Sequence, residues 1–325
     1  MLTYIDAIHA AMADLLEEDP AVFLAGEDVG GIFGGAFKAT KGLEERFPGR
    51  VLNTPIAEDA IAGFGIGAAL AGMKPVLEMQ FADFGILAHN QIVNNAGAHF
   101  FRTGVPVNIT VRMPMGGTPG GGPFHCQSTE ALFAHYPGVH VLTPATVADA
   151  YHMLKLAVQN PDPVVFMEHK HLYRWLKAES LDLPEGPAPL PIGSARIARV
   201  GRDVTVVAYS AMVQEALKAA EFLAEEGIEL EVVDLRSVKP LDIPTILASV
   251  ARTAHLLVAQ EAFPYGGVGA EVVSRVVESG FHLLDTPPVR VTPPDTPIPS
   301  HPDLWHRHRP HAEAIVQAAR KLLSF

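Results

Sequence analysis

Cysteine occurs once in the 325 residues, as Cys126, so no disulfide can close within the chain and a reducing compartment, the cytoplasm, is expected. Basic residues are scarce: 24 Lys and Arg stand against 36 Asp and Glu, a net charge of −12. That sign is wrong for a phosphate-binding surface, so nucleic acid is not an expected partner. No apolar run approaches the roughly 20 residues of a membrane span. Asp6, His9 and Asp14 interrupt the N-terminal segment, which therefore lacks the basic and apolar regions of a secretory leader. No short-period repeat is found. What the chain does hold is 48% hydrophobic residues with 28 Gly and 27 Pro, the composition of a compact protein with many turns. At roughly 150 residues per domain its length predicts about two domains.

Short β-rich apolar runs alternate with helical patterns, as in parallel sheets joined by crossover helices. In the first half, strands are predicted near Val22–Ala25, Pro75–Glu78, Val107–Arg112, His140–Leu142 and Val164–Glu168. Helices are predicted over Asp59–Ala71, Phe84–Phe101 and Val147–Gln159. This half reads as a doubly wound α/β domain. LDLPEGPAPLP, Leu181 to Pro191, carries four prolines that suit neither a helix nor a central strand, so it reads as a stiff connector. The expected domains are 1–185 and 186–325. The second half repeats the alternation in a smaller α/β domain, with strands at Val204–Tyr209, Glu229–Asp234, His255–Gln260 and Val289–Thr292 and a last helix over His311–Leu323.

Three segments could carry chemistry. In NTPIAEDAIAGFGIGAALAG, from Asn53, the spaced glycines tempt a dinucleotide reading, but they lie inside a helical pattern and not in a turn after a strand. Each glycine there weakens the helix by about 1 kcal/mol, usually offset by close approach of another helix or backbone. The segment reads as a tightly packed interface helix, with Glu58 and Asp59 at its start where carboxylates favour the helix dipole. In VLEMQFADF, Val76 to Phe84, a strand ends in a polar-aromatic turn. Gln80, Asp83 and Phe84 would face the crevice at the carboxyl end of a sheet, or Phe84 would simply join the core. MGGTPGGGPFHCQS, Met115 to Ser128, is a glycine-rich loop leading to His125. It lacks the Gly-Lys-Ser/Thr of a phosphate loop. His125 is the best general acid–base candidate, a locally satisfied loop histidine being the alternative. Cys126 shows no orienting base and is a poor nucleophile candidate.

Taken together, these segments resemble the β subunit of the thiamine-diphosphate-dependent decarboxylase component of 2-oxo acid dehydrogenase complexes, of the transketolase-like superfamily. The matching stretches are GEDVG at Gly26–Gly30, TPIAE at Thr54–Glu58, QFADF at Gln80–Phe84, His-Cys-Gln-Ser at His125–Ser128, DPVVFMEHKHLYR at Asp162–Arg174 and DTPIP at Asp295–Pro299. The resemblance implies a doubly wound, parallel-sheet pyrimidine-binding domain followed by a transketolase C-terminal-like domain. It implies that Glu58 meets the aminopyrimidine ring nitrogen of thiamine diphosphate and supports its imino tautomer by proton exchange. Phe84 would stack on that ring, Gln80 and Ile56 would line its pocket, and His125 would supply protons during acyl transfer to the lipoyl disulfide. Cys126 stands where the family usually has serine, which implies altered local hydrogen bonding and an oxidation-sensitive thiol. AVQNPD resembles a structural potassium loop, with Ala157, Asn160 and Asp162 as candidate ligands.

The superfamily binds the diphosphate and magnesium through a GDG segment, and none occurs here. The resemblance therefore implies an α subunit that supplies it, in an assembly of two α and two β chains, and a lipoyl-bearing acyltransferase core as further partner. The implied reaction is oxidative decarboxylation of a small 2-oxo acid with acyl transfer to lipoamide. Branched-chain substrates are favoured, followed by pyruvate and then acetoin. A complete transketolase-like enzyme, such as a deoxyxylulose phosphate synthase, is disfavoured by the missing segment, and a non-catalytic scaffold relative by the presence of Glu58, Phe84 and His125.

Overall fold

The computed structural model describes residues 1–183, 186 and 189–324. Pro184, Glu185, Pro187 and Ala188, within the predicted connector, lie outside the described residues, as does Phe325. The chain divides into two compact units, Met1–Met115 with Leu132–Ile192, and Gly116–Ala131 with Gly193–Phe325. Among the described residues no helix is long and apolar enough to cross a membrane.

The first unit is built on six strands: β1 (Val22–Gly26), β2 (Val51–Asn53), β3 (Lys74–Glu78), β4 (Thr110–Met115), β5 (His140–Leu142) and β6 (Val164–His169). Their order is β5-β6-β4-β3-β1-β2, with every pairing parallel. Strands buried on both faces read as continuous apolar runs, and β1, β4 and β6 are buried at every residue. Helix α1 (Tyr4–Glu18) is absent from the sequence expectations. Its signal is the capping pair at its start, where the Thr3 hydroxyl accepts the Asp6 N–H and the Asp6 carboxylate accepts the Thr3 N–H. It packs Ile8, Met12, Leu15 and Leu16 inward and meets α3 (Val147–Gln159), while α2 (Glu58–Leu70) covers β3.

Two predicted elements need correction. Strand β4 starts three residues later than Val107, because Pro106 has no N–H for a ladder and the Ile109 N–H bonds locally to Val107 O. The continuous helix expected over Phe84–Phe101 is instead a 3₁₀ turn at Phe84–Ile86, a wide π-type stretch at Gln91–Gly97 and a short helix at His99–Thr103. Asn94 and Asn95 donate to Asn90 Oδ1 and Gln91 Oε1 along that stretch. Gly97 sits so close to Val139 that a Cβ would stand 2.8 Å from its Cγ2.

The second unit carries β7 (Arg196–Arg199), β8 (Val204–Ala208), β9 (Leu230–Asp234), β10 (Leu256–Ala259) and β11 (Val289–Val291) in the order β11-β10-β8-β9-β7. All pairings are parallel except that of β7, which is antiparallel. Helices α4 (Ala211–Ala224), α5 (Ile243–Thr253), α6 (Val268–Gly280) and α7 (Ala312–Leu322) cross between or flank the strands. The expected α/β class is observed in both units: a parallel sheet with crossover helices in the first, and a smaller, mostly parallel sheet in the second.

Candidate active site

In the first unit, three strands end in register. Gly26 of β1 lies opposite Asn53 of β2 and Glu78 of β3, so the residues that follow emerge along one carboxyl edge, where parallel sheets bind ligands. Gly26 is required there, since a Cβ would stand 2.7 Å from the Glu78 carbonyl oxygen. Beyond β2, the Thr54 N–H returns to Gly26 O and the chain enters α2 at Glu58. The Glu58 side chain is buried, its residue only 4% exposed, whereas Ile56 two residues earlier is 82% exposed. Glu27, first after β1, is also buried, and its Oε1 has no hydrogen-bond partner among the described residues. Burial pushes its carboxyl above the usual range, and the nearby Glu58 charge adds to the effect. The sheet edge thus brings two buried carboxyls together, with no cation paired to either among the described residues, and it is Glu27 whose hold on a proton is strengthened.

That pair has a measurable consequence. A raised native pKa means the folded state binds more protons than the unfolded one. Stability then falls as pH rises through the window between the ordinary glutamate value and the raised one. Glu27→Gln removes this charge, so its melting temperature minus that of the wild type should grow as pH rises from 4 to 8. Parallel melting curves would contradict the charge argument.

After β3, Met79 N–H bonds Arg112 O and Ala82 N–H bonds Pro114 O, extending the turn along β4. Gln80 and Phe84 are half-buried in this turn. The Phe84 ring meets Phe81 edge-on at 5.4 Å, and Phe81 in turn meets Phe37 at 5.5 Å. Beneath the turn lies a polar network that the sequence reading does not assign. Arg112 donates from Nε and Nη2 to Glu168 at 2.5 and 2.8 Å and from Nη1 to Glu78 at 2.5 Å, and the Tyr173 hydroxyl donates to Glu168 at 2.7 Å. Its sequence signal is a charged residue within each of three apolar strands.

The loop carrying His125 groups with the second unit. Gly117 N–H donates to Glu261 Oε1, and Glu261 Oε2 accepts from Arg309 Nε. Glycine is needed at Gly117 and Gly122, where a Cβ would stand 2.1 Å from Trp305 Nε1 and from Ser300 Oγ. Cys126 is fully buried against Ile298 and Trp305, its Sγ accepting the Thr118 N–H at 3.4 Å. The expectation of an oxidation-sensitive thiol is corrected by this burial, which closes the sulfur to oxidants. His125 is half-buried, and its neighbours Phe124 and Gln127 line a cleft of about 410 Å³ with Phe263 and Ile298.

At the candidate potassium loop, Ala157 O accepts the Asn160 N–H, Asn160 Oδ1 accepts the Asp162 N–H, and Asp162 Oδ2 lies 3.5 Å from His140 Nε2. Among the described residues no cluster of three His, Cys, Asp or Glu side chains is placed to hold a metal.

The chain matches the family model "Transketolase, pyrimidine binding domain" over residues 1–175 and "Transketolase, C-terminal domain" over residues 193–315. It is 44% identical over 329 residues to the 2-oxoisovalerate dehydrogenase subunit beta of Bacillus subtilis, covering 100% of this chain and 99% of that protein. It is 42% identical over 323 residues to the pyruvate dehydrogenase E1 component subunit beta-1, mitochondrial, of Oryza sativa subsp. japonica, covering 98% of this chain and 86% of that protein. Among solved structures it resembles a split-gene transketolase described as an inactive beta4 tetramer, with a TM-score of 0.83 and 26% identity over 100% of this chain and 99% of the other.

Proposed function

Because this chain belongs to the transketolase-type family that includes the E1 β subunits of pyruvate and 2-oxoisovalerate dehydrogenases, we propose that it is the β subunit of a 2-oxo acid dehydrogenase acting with an α chain on branched-chain 2-oxo acids. The observation that carries this reading is the buried Glu58 carboxyl at the start of α2, beside Glu27, on the carboxyl edge of the parallel sheet. The full-length likeness to the 2-oxoisovalerate enzyme subunit favours a branched substrate. Pyruvate is the second reading, on the likeness to the plant subunits, and acetoin the third.

The residues present fit the pyrimidine half of thiamine diphosphate. A buried carboxyl with no cation beside it among the described residues matches a ring nitrogen that must share a proton, and the half-buried Phe84 ring matches a flat heterocycle. Glu58 would hold that proton, Phe84 would stack, and Gln80 and Ile56 would line the pocket. When bound, the cofactor supplies the electron sink that decarboxylation needs. His125 would deliver protons to the acyl acceptor, the lipoyl disulfide of an acyltransferase core. No GDG segment is present for the diphosphate and magnesium, so those contacts are assigned to the α chain. We assign potassium to the turn at Ala157, Asn160 and Asp162, where the carbonyl and amide oxygens each retain a second lone pair. We also keep 1–185 and 186–325 as the functional domains and the cytoplasm as the compartment, the latter on the lone Cys126.

A heterotetramer of two α and two β chains is supported by the surface around the site. Ile56, Phe64, Ile86, Leu87 and Phe101 are exposed, Phe101 at 94%, and Gly67 on α2 has open space where a Cβ would stand. Large exposed apolar surface of this kind marks interaction sites, and bare glycine on a helix permits close approach of another chain. Expressed alone, the chain should behave like its inactive β4 neighbour, forming a self-associated species without decarboxylase activity. Co-expression with its genomic α partner should yield 2-oxoisovalerate-dependent release of carbon dioxide with thiamine diphosphate and magnesium. Turnover by the β chain alone, or a preference for pyruvate or acetoin, would overturn the assembly or the substrate assignment respectively.

A further inference from the structure

Between Gly117 and Glu130 the His125 loop is fastened to its own unit at three points. Gly117 N–H is held by Glu261, Cys126 is sunk beside Ile298 and Trp305, and Glu130 accepts the Tyr209 hydroxyl at 2.5 Å. The first and third anchors tie the ends of the loop, which shortens its free span and restricts where His125 can go. The Glu130 anchor is unusual. Its carboxyl is fully buried, no cation pairs with it among the described residues, and its Oε2 has no hydrogen-bond partner there. Burial raises its affinity for a proton, as does the charge of Glu261, while the bond from Tyr209 opposes the shift. Tyr209 is itself set by the backbone: Ser210, next in sequence, turns the chain between β8 and α4 at φ +53°, and its buried Oγ also has no hydrogen-bond partner among the described residues. A buried carboxyl without a cation is costlier to the fold than an apolar side chain in its place. What it provides here is one directional bond at the exit of the loop that carries the acid–base candidate.

We propose that Glu130, through Tyr209, is a positioning residue that holds the His125 loop in the geometry needed for proton delivery during acyl transfer. The proposal rests on the functional reading of His125 given above. It concerns only placement of the loop: Glu130 touches no reacting atom. Misplacement by about 1 Å costs up to about a hundredfold in rate, so loss of the anchor acts on the proton-dependent step. Electron transfer to an artificial acceptor needs no proton from His125 and should be spared.

The test uses the co-expressed α–β enzyme carrying Glu130→Ala, Glu130→Gln or Tyr209→Phe. Glu130→Ala should lower acyl transfer to free lipoamide about tenfold or more, while ferricyanide reduction stays within about twofold. Glu130→Gln keeps the acceptor oxygen and should restore transfer to within about threefold of wild type. Peptide-resolved deuterium exchange over residues 117–128 should accelerate equally in Glu130→Ala, Tyr209→Phe and the double variant, since all three break one bond. Tyr209→Phe keeps the test open should Glu130→Ala not fold. Unchanged transfer with unchanged loop exchange, or equal loss of both reactions without rescue by Gln, would overturn the proposal. Should His125→Ala transfer acyl groups normally, the reading of His125 fails, and loop exchange still reports whether Glu130 anchors the loop.

Discussion

Glu58→Gln in the assembled α–β enzyme should lower kcat by about 10²–10⁴-fold, the range in which a positioned proton-transfer group contributes, with little change in folding. Gln matches Glu in shape but cannot exchange a proton near neutral pH. Among the described residues Glu58 has no cation to lose, and its favourable position at the helix start is worth at most about 1 kcal/mol. The buried neighbour Glu27 opposes the Glu58 charge, so removing that charge also relieves repulsion. A melting temperature at or above that of the wild type together with a collapsed turnover would place the loss in chemistry. Turnover within threefold of wild type would remove Glu58 from the mechanism and leave the pair of buried carboxyls without a function.

Arg112→Met should be the most destabilising single substitution in the first unit. The guanidinium is the one cation shared by two buried carboxylates, Glu78 and Glu168, with both pairings at 2.5 Å. Breaking a buried ion pair from one side costs about 3–5 kcal/mol, a large share of the roughly 5–15 kcal/mol that holds a domain folded. The pH dependence follows from the same charges. Burial already pushes the Glu78 carboxyl up while Arg112 pulls it down. Without Arg112 the buried Glu78 carboxyl gains affinity for protons in the folded state, so the variant should lose further stability as pH rises from 5 to 8. Urea unfolding at several pH values measures this. A loss below about 1 kcal/mol at pH 7 would mean that Arg112 does not compensate both carboxylates. Restoration by the added changes Glu78→Gln and Glu168→Gln would confirm that the stranded charges, and not lost packing, carry the cost.

Much of this molecule was legible in one dimension because its signals are local. Parallel strands buried on both faces must be apolar along their length, so β1, β3, β5, β6 and, in the second sheet, β8, β9 and β10 announce themselves, whereas the antiparallel, half-exposed β7 has no such signal. The Glu58 start of α2 follows from a carboxylate preceding a helical period, and the Gly-rich run before His125 can only be a loop. Helix α1 had an equally local signal in Thr3 and Asp6. The break within Phe84–Phe101 has no such local signal, its apolar and small residues fitting a continuous helical pattern.

The site divides in the same way. Sequence alone determined the class of fold, the absence of a diphosphate-binding GDG segment and His125 as an acid–base candidate, while Glu58, Gln80 and Phe84 became candidates through the resemblance of their motifs to a known family. Only the tertiary structure decided that Glu27 lies beside Glu58, that Arg112 serves two acids at once, that Cys126 is sealed beneath Trp305 and that Glu130 binds Tyr209. These are pairings across 31 to 179 residues of sequence. Their energies come from burial and from charges that meet only after the chain has folded, and no local pattern encodes which distant group will be the partner.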